Sequence, residues 1–353
     1  MGRPRKSKRH VPPYVYCAKG RWFWREYLGS GRFGREVRLG GADATDQEIW
    51  DAYLTTVGTG TKLGTVEHLF ESFVASKEFA ERANKTQAEY RRYAKNICET
   101  KLKDGRRFGE LMAKRLTIPS IRKLMDKRGE GRPIAANREL EFISTAYKWG
   151  IERSLAHINP AAGVTAFREK ARTRLVTDDE YRAVYERANP YVKVAMEFAF
   201  LCRLRRVEII GPDPKDIKRG EMPKVIGLRE QHIEKAGLRV IRAKGSKEQI
   251  IKWTQSLRDA VADARALPGH NPDGYLVHDR NGNKLRKTAF RSAWVRAMKQ
   301  AVKKDKIEPF TFHDLKAKGV SDFVGDKLKA SGHKSARQAE EYNRKLDQVK
   351  STR

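Results

Sequence analysis

The chain has no apolar run of about 18 residues, the length that spans a bilayer, and no short hydrophobic stretch of signal-peptide type. A membrane-spanning or exported protein is therefore not expected, and the sequence reads as soluble and intracellular. Cysteine is scarce: Cys17, Cys98 and Cys202 are odd in number, widely spaced and free of any C-x-x-C pattern. That argues against a disulfide framework and a cysteine zinc site, and suits a reducing cytoplasm. The eight histidines show no H-x-x-x-H or H-E-x-x-H arrangement, and no acidic cluster repeats at metal-ligand spacing. No metal and no cofactor is expected. Acidic residues are also in short supply, with 44 Asp and Glu against 75 Lys and Arg, a formal charge of +31.

Charge of that size implies a polyanionic partner, with nucleic acid as first candidate and a membrane surface as rival. At 353 residues there is room for two or three domains, each with its own core. Residues 1–10 carry five Arg or Lys, among them Arg3, Arg5 and Lys6, and no acid, which predicts a flexible basic arm. Its Gly2-Arg3-Pro4 is similar to an AT-hook ligand of the minor groove; the other reading is an unspecific phosphate-binding tail.

From residue 13 to 39 the pattern alternates, as in Arg21-Trp22-Phe23-Trp24-Arg25, with turns at Lys19-Gly20 and at 29–34. A three-stranded antiparallel sheet is expected. Residues 43–57 follow as one helix that covers it through Ile49, Trp50, Tyr53 and Leu54. Arg21 and Arg25 alternate with the apolar positions, as a DNA-contacting sheet would have them; the alternative is a small β-domain of no specificity. A Gly/Thr linker at 55–64 leads to helical patterns at 66–76, 84–99, 117–128 and 135–153, a compact bundle ending at Asn159-Pro160. Lys85, Arg91, Arg92 and Lys95 suit either a DNA-facing surface or a solvated one. Residues 163–175, with Arg172 and Arg174, read as a linker along a phosphate backbone. Thr177-Asp178-Asp179-Glu180 is a capping box opening a new domain.

The chemistry concentrates in residues 310–344. His313 opens a helix with Lys316 one turn on, Gly332-His333 follows, and Tyr342 lies nine residues after His333. Two glutamates precede Tyr342 and Asn-Arg follows it, so it is expected in a charged helical context and presented to a partner. A phenol, with a pKa of about 10, attacks well only if a base takes its proton and cations stabilise the charge it attacks. A DNA phosphodiester is such a target.

This series resembles the C-terminal signature of the tyrosine recombinases, the family that includes many bacteriophage integrases: H-x-x-R, then G-H, then a nucleophilic Tyr nine residues later. Upstream, Cys202-Arg203-Leu204-Arg205-Arg206-Val207-Glu208 resembles the family's T-G-L-R-x-x-E. Leu204, Arg205 and Glu208 match; Cys202 and Arg203 do not. Taken alone, Arg205 and Glu208 would be an ordinary helical ion pair. Residues 237–251 read as two strands around a Lys-Gly turn and resemble the family's K-G-x-K-E hairpin, which puts the general acid at Lys244, with Lys247 second choice. Two further positions depart from the pattern. Lys316 stands where Arg is usual, a point charge in place of a planar fork, and Ser331 stands where an apolar residue is usual, a change expected to affect packing.

The resemblance implies a mainly α multidomain architecture with small β-sheets. Its parts are a basic arm (1–12), an arm-type DNA-binding domain of sheet and helix (13–58), a helical core-binding domain (65–162), a linker (163–175) and a mixed α+β catalytic domain (176–353). It also implies a site-specific recombinase: Tyr342 attacks phosphorus, Arg205, Lys316 and His333 hold the phosphate oxygens, His313 takes the phenol proton, Lys244 protonates the leaving oxygen, and Glu208 orients Arg205. The implied partners are double-stranded DNA attachment sites, three further copies of the chain in a tetramer, and accessory bending and directionality proteins, in the cytoplasm of a bacterial host. A type IB topoisomerase and a DNA-binding relative that has lost cleavage are the alternatives.

Overall fold

The computed structural model describes residues 11–29, 31–57, 63–170, 172–217, 220–243 and 248–345. The chain divides into two compact units between Glu169 and Lys170, inside the segment expected as a linker.

In the first unit, strands β1 (Val15–Ala18), β2 (Arg21–Gly29) and β3 (Arg32–Gly41) form an antiparallel sheet in that order. Helix α1 (Asp46–Val57) packs on it through Ile49, fully buried with Val15, Trp22, Leu39 and Ala44, while Trp24 meets Tyr53 edge-on. Sealing a residue such as Ile49 from water contributes about 2–3 kcal/mol. The helix starts three residues later than the pattern suggested, because Glu48 caps the backbone N–H of Thr45 and fixes the first turn there.

A second hydrophobic cluster in this unit is built by α2 (Val66–Val74), α3 (Lys77–Ala80), α4 (Asn84–Cys98), α5 (Ile118–Gly129) and α6 (Pro133–Ile151). Phe70, Phe73, Phe79, Tyr90 and Phe142 interlock at its centre. The single turn α3 was not expected; Ser76 nucleates it by accepting from the N–H of Phe79.

In the second unit, α7 (Asp178–Arg187) opens at the expected capping box of Thr177 and Glu180. Helix α8 (Pro190–Leu201) is apolar almost all round and forms the core, flanked by α10 (Gln255–Arg265), α11 (Lys287–Asp305) and α12 (Asp314–Asp322). A small antiparallel sheet, β4 (Ile233–Glu234), β5 (Gly237–Val240) and β6 (Gln249–Lys252), stands beside it. The pair β5 and β6 is the expected hairpin; β4 is two residues long, too short to show a period. Gly319 lets α12 lie against the end of α8, since a Cβ there would meet the carbonyl oxygen of Phe200 at 2.2 Å. The short helices α9 (Arg206–Ile210), α13 (Lys327–Ser331) and α14 (Ala336–Glu340) complete the unit.

Candidate active site

Arg205 owes its position to the end of α8. Arg203 adopts a left-handed backbone (φ 54°), which stops the helix, and Arg205 becomes the residue that caps α9 instead of lying mid-helix as the sequence pattern suggested. Glu208, with a fully buried side chain, accepts from the backbone N–H of Arg205 at 2.7 Å, from its guanidinium at 2.9 Å and from the N–H of Ala243 at 2.9 Å. Burial pulls against ionisation of Glu208, yet Lys316, these N–H donors and Arg242 hold its pKa below the usual range. One carboxylate thereby orients the arginine and fastens the base of the hairpin to it.

The other half is carried by α12 and the turns after it. His313 caps α12, and its Nε2 lies 2.7 Å from the hydroxyl of Tyr342. Tyr342 is half-buried, in a turn just past α14, where a helical setting was expected. Its ring lies 4.6 Å from that of His333. Arg205 Nη2 reaches Nε2 of His333 at 3.4 Å; a guanidinium only donates, so that nitrogen accepts and the ring proton sits on Nδ1. Burial, with Lys316 and Arg205 nearby, depresses both His313 and His333 to about 4. Both rings are neutral at pH 7, so His313 has a lone pair for the Tyr342 hydroxyl, while the burial and cations that lower its pKa make it a weak base until an anion enters.

Lys316 is fully buried at the floor of the site, with Nζ 3.4 Å from the carbonyl of Ser331 and 5.6 Å from the centre of the Tyr342 ring. Burial first, then Arg242, lowers its pKa to about 6. Ser331 does more than pack: its hydroxyl donates to the carbonyl of Leu328 and accepts from the N–H of His333, shaping the turn that presents that histidine.

The tyrosine turn is held on both sides. Ser321 Oγ donates to the carbonyl of Tyr342 and accepts from the N–H of Arg344. Arg344 donates to Asp314 at 2.8 Å, with both side chains under a tenth exposed, and to the carbonyl of Arg174. Lys327 donates to Asn343. None of these holding residues was singled out from sequence; their partners lie 16 to 170 positions away.

The structure thus brings together Arg205, Glu208, His313, Lys316, His333 and Tyr342. Lys244 and Lys247 lie outside the described residues, as do Arg3, Arg5 and Lys6. Of the other expected DNA contacts, Arg21, Arg25, Lys85, Arg91, Arg92 and Arg172 are exposed. Arg25 is held by Glu36, and Arg172 contacts Thr311 and Asp314. Arg174 is partly buried and pairs with Glu180 and Glu308. Among the described residues, no group of three or more His, Cys, Asp or Glu is placed to hold a metal.

Around the tyrosine hydroxyl, then, stand two neutral imidazoles, the Arg205 guanidinium and the buried Lys316, while the carboxylates of Glu208 and Asp314 are already committed to Arg205 and Arg344. Such a site is built to receive an anion beside a nucleophile. No family model matches the chain, and no curated protein matches it by sequence. Solved structures do match. A lambda integrase dimer bound to a COC′ core site aligns over 98% of this chain and 99% of its own, at 18% identity and a TM-score of 0.65. A lambda integrase tetramer bound to a Holliday junction aligns over 97% and 99%, at 17% and 0.63. The Tn1549 transposon integrase (residues 82–397), in complex with circular intermediate DNA, aligns over 79% and 94%, at 13% and 0.58. The chain has the fold of these integrases, along nearly its whole length in the lambda integrase comparison.

Proposed function

We propose that this chain is a tyrosine-type site-specific DNA recombinase of the phage integrase kind. The observation that carries the reading is the 2.7 Å contact of the Tyr342 hydroxyl with a neutral His313, in a pocket rich in cations. A scissile phosphate placed against Arg205 and Lys316 would be held by the guanidinium and by the charge Lys316 gains when it takes up a proton beside the anion, with His333 a neutral hydrogen-bonding neighbour. His313 Nε2 takes the phenol proton, Tyr342 Oη bonds to phosphorus, and the bond from phosphorus to the 5′ oxygen breaks. Lys244 gives that oxygen a proton. The product is a 3′-phosphotyrosyl enzyme and a free 5′ hydroxyl, and attack by another 5′ hydroxyl reverses the step and joins a new strand.

Duplex attachment sites are the substrate, and four copies on two duplexes the working assembly, as in the lambda integrase tetramer on a Holliday junction. Residues 13–58 would engage arm-type sites, 65–162 and 176–353 the core site, with accessory DNA-bending and directionality proteins as further partners. No helix of the described residues is long and apolar enough to cross a membrane, and the nucleoid of a bacterial host is the proposed place of action. Incubation with a library of nicked duplexes, followed by sequencing of the DNA bound covalently, tests this: one enriched core sequence is expected, and an absence of covalent DNA would refute it.

A further inference from the structure

Arg242, two residues before the proposed general acid, is the largest fully buried side chain among the described residues. An arginine without exposure needs every N–H satisfied. Here Nε donates to the side-chain carbonyl of Gln249 at 3.0 Å. Nη1 donates to the carbonyl of Arg203 at 2.6 Å, and Nη2 to the carbonyls of Cys202 and Ala330 at 3.1 and 3.2 Å. Glu208 lies 3.9 Å away. These partners belong to four separate stretches: the turn that presents Arg205, helix α9, the facing strand β6 of the hairpin, and the turn that presents His333. Gly332 closes over the guanidinium, for a Cβ there would meet Nε at 2.8 Å, and its φ of +68° independently favours glycine. Arg203 Nε donates to the same Ala330 carbonyl, and Lys316 Nζ to the next one, so three basic side chains share one turn.

Building on the recombinase reading, we infer that Arg242 is the positioning residue of the cleavage site, a buried charged fork that holds the Arg205 turn, the paired strands β5 and β6 and the His333 turn in one arrangement. It touches no substrate. It sets the spacing of groups that do, and its charge bears on their protonation. His333 faces Arg205 and Glu208 from α9, Lys316 from α12, Arg242 from the end of β5 and the Tyr342 ring; burial first, then Lys316, Arg205 and Arg242, keep the imidazole neutral against the pull of Glu208.

The test uses the full chain with Arg242→Gln, Arg242→Lys and, as a milder break of the same network, Gln249→Leu. Single-turnover cleavage of a nicked core substrate should fall by roughly 10²-fold in Arg242→Gln, the scale of an ångström-sized misplacement of the reacting groups, with duplex affinity near that of the parent. Arg242→Lys should recover part of the rate, and Gln249→Leu should fall in between with an unchanged Tm. In the same proteins without DNA, the His333 ring, followed by NMR of labelled histidine, should titrate higher in Arg242→Gln than in the parent and stay low in Arg242→Lys. A purely structural role would not produce that split by charge. Parent-like cleavage in Arg242→Gln, or a His333 titration identical in all three, overturns the inference. Because the titration needs no cleavage, a parent chain that never attaches to DNA would sink the recombinase reading while leaving the electrostatic part of this one to be judged by itself.

Discussion

Replacing Lys316 by methionine should make the protein more stable and nearly inactive. The ammonium sits with no exposure, one long hydrogen bond to the Ser331 carbonyl and Arg242 close by. Its pKa is about 6 in the fold against lysine's ordinary 10.5. The unfolded chain therefore holds a proton that the folded chain releases between those values, and folding is penalised by about 1.4 kcal/mol for each pH unit below the upper one. The penalty is absent above 10.5, grows as pH falls, and is complete below about 6. Methionine keeps the volume and removes the term. A net gain of about 1–4 kcal/mol is expected at pH 7, the range found when buried charges give way to apolar side chains. That gain should shrink by up to about 3 kcal/mol between pH 7 and pH 9. Cleavage should fall by roughly 10²-fold or more, because one donor to the phosphate is gone. Urea unfolding of the full chain at both pH values, read by hydrogen exchange in peptides of α8 and α12, isolates the relevant unit. A methionine variant that is less stable than the parent at pH 7, or whose gain is the same at pH 9, would refute the reasoning.

Other consequences are equally open to measurement. Binding a phosphate beside Lys316 should raise its pKa, so that core-site DNA takes up about one proton near pH 7.5; calorimetry in buffers of different ionisation enthalpy should show that uptake in the parent and not in Lys316→Met. Arg344→Met takes one cation from Asp314, which keeps its hydrogen bonds from Thr311 and its contact with Arg172, and frees the turn of Tyr342; it should cost about 1–3 kcal/mol of stability in denaturant unfolding. With a formal charge of +31, affinity for duplex DNA should fall by about 10³-fold or more between 50 and 200 mM salt if about six phosphates are neutralised; a flat salt profile would contradict that footprint. Lys316→Arg should give no gain in cleavage, since the fork would have to enter space already held by Arg242 and Glu208; a faster variant would mean the site retains room for arginine.

Much of this site was legible in the sequence because its pieces keep a fixed spacing along the chain. His313, Lys316, His333 and Tyr342 lie within 30 residues, and Glu208 follows Arg205 by one helical turn, so local pattern sufficed. Arg242 did not stand out, because at the end of a strand it looks like any solvated cation. Its burial is decided by carbonyls some 40 and 88 residues away. Arg203 looked like a mere mismatch to a T-G-L-R pattern, whereas its left-handed backbone supplies the turn a glycine would favour. Ser331 looked like a packing change because its acceptor, the Leu328 carbonyl, appears only once α13 has formed. For the same reason the pairing of Asp314 with Arg344 could not be anticipated: it depends on the C-terminal turn folding back across α12.

The central claim is that Tyr342 is the nucleophile. The most direct measurement traps the protein on a core-site duplex nicked near the crossover, digests the adduct and sequences the peptide that carries DNA. The account predicts a 3′-phosphate ester on Tyr342, and no adduct from Tyr342→Phe even though that variant still binds the duplex. DNA attached at another residue, or an adduct that persists in Tyr342→Phe, would contradict it.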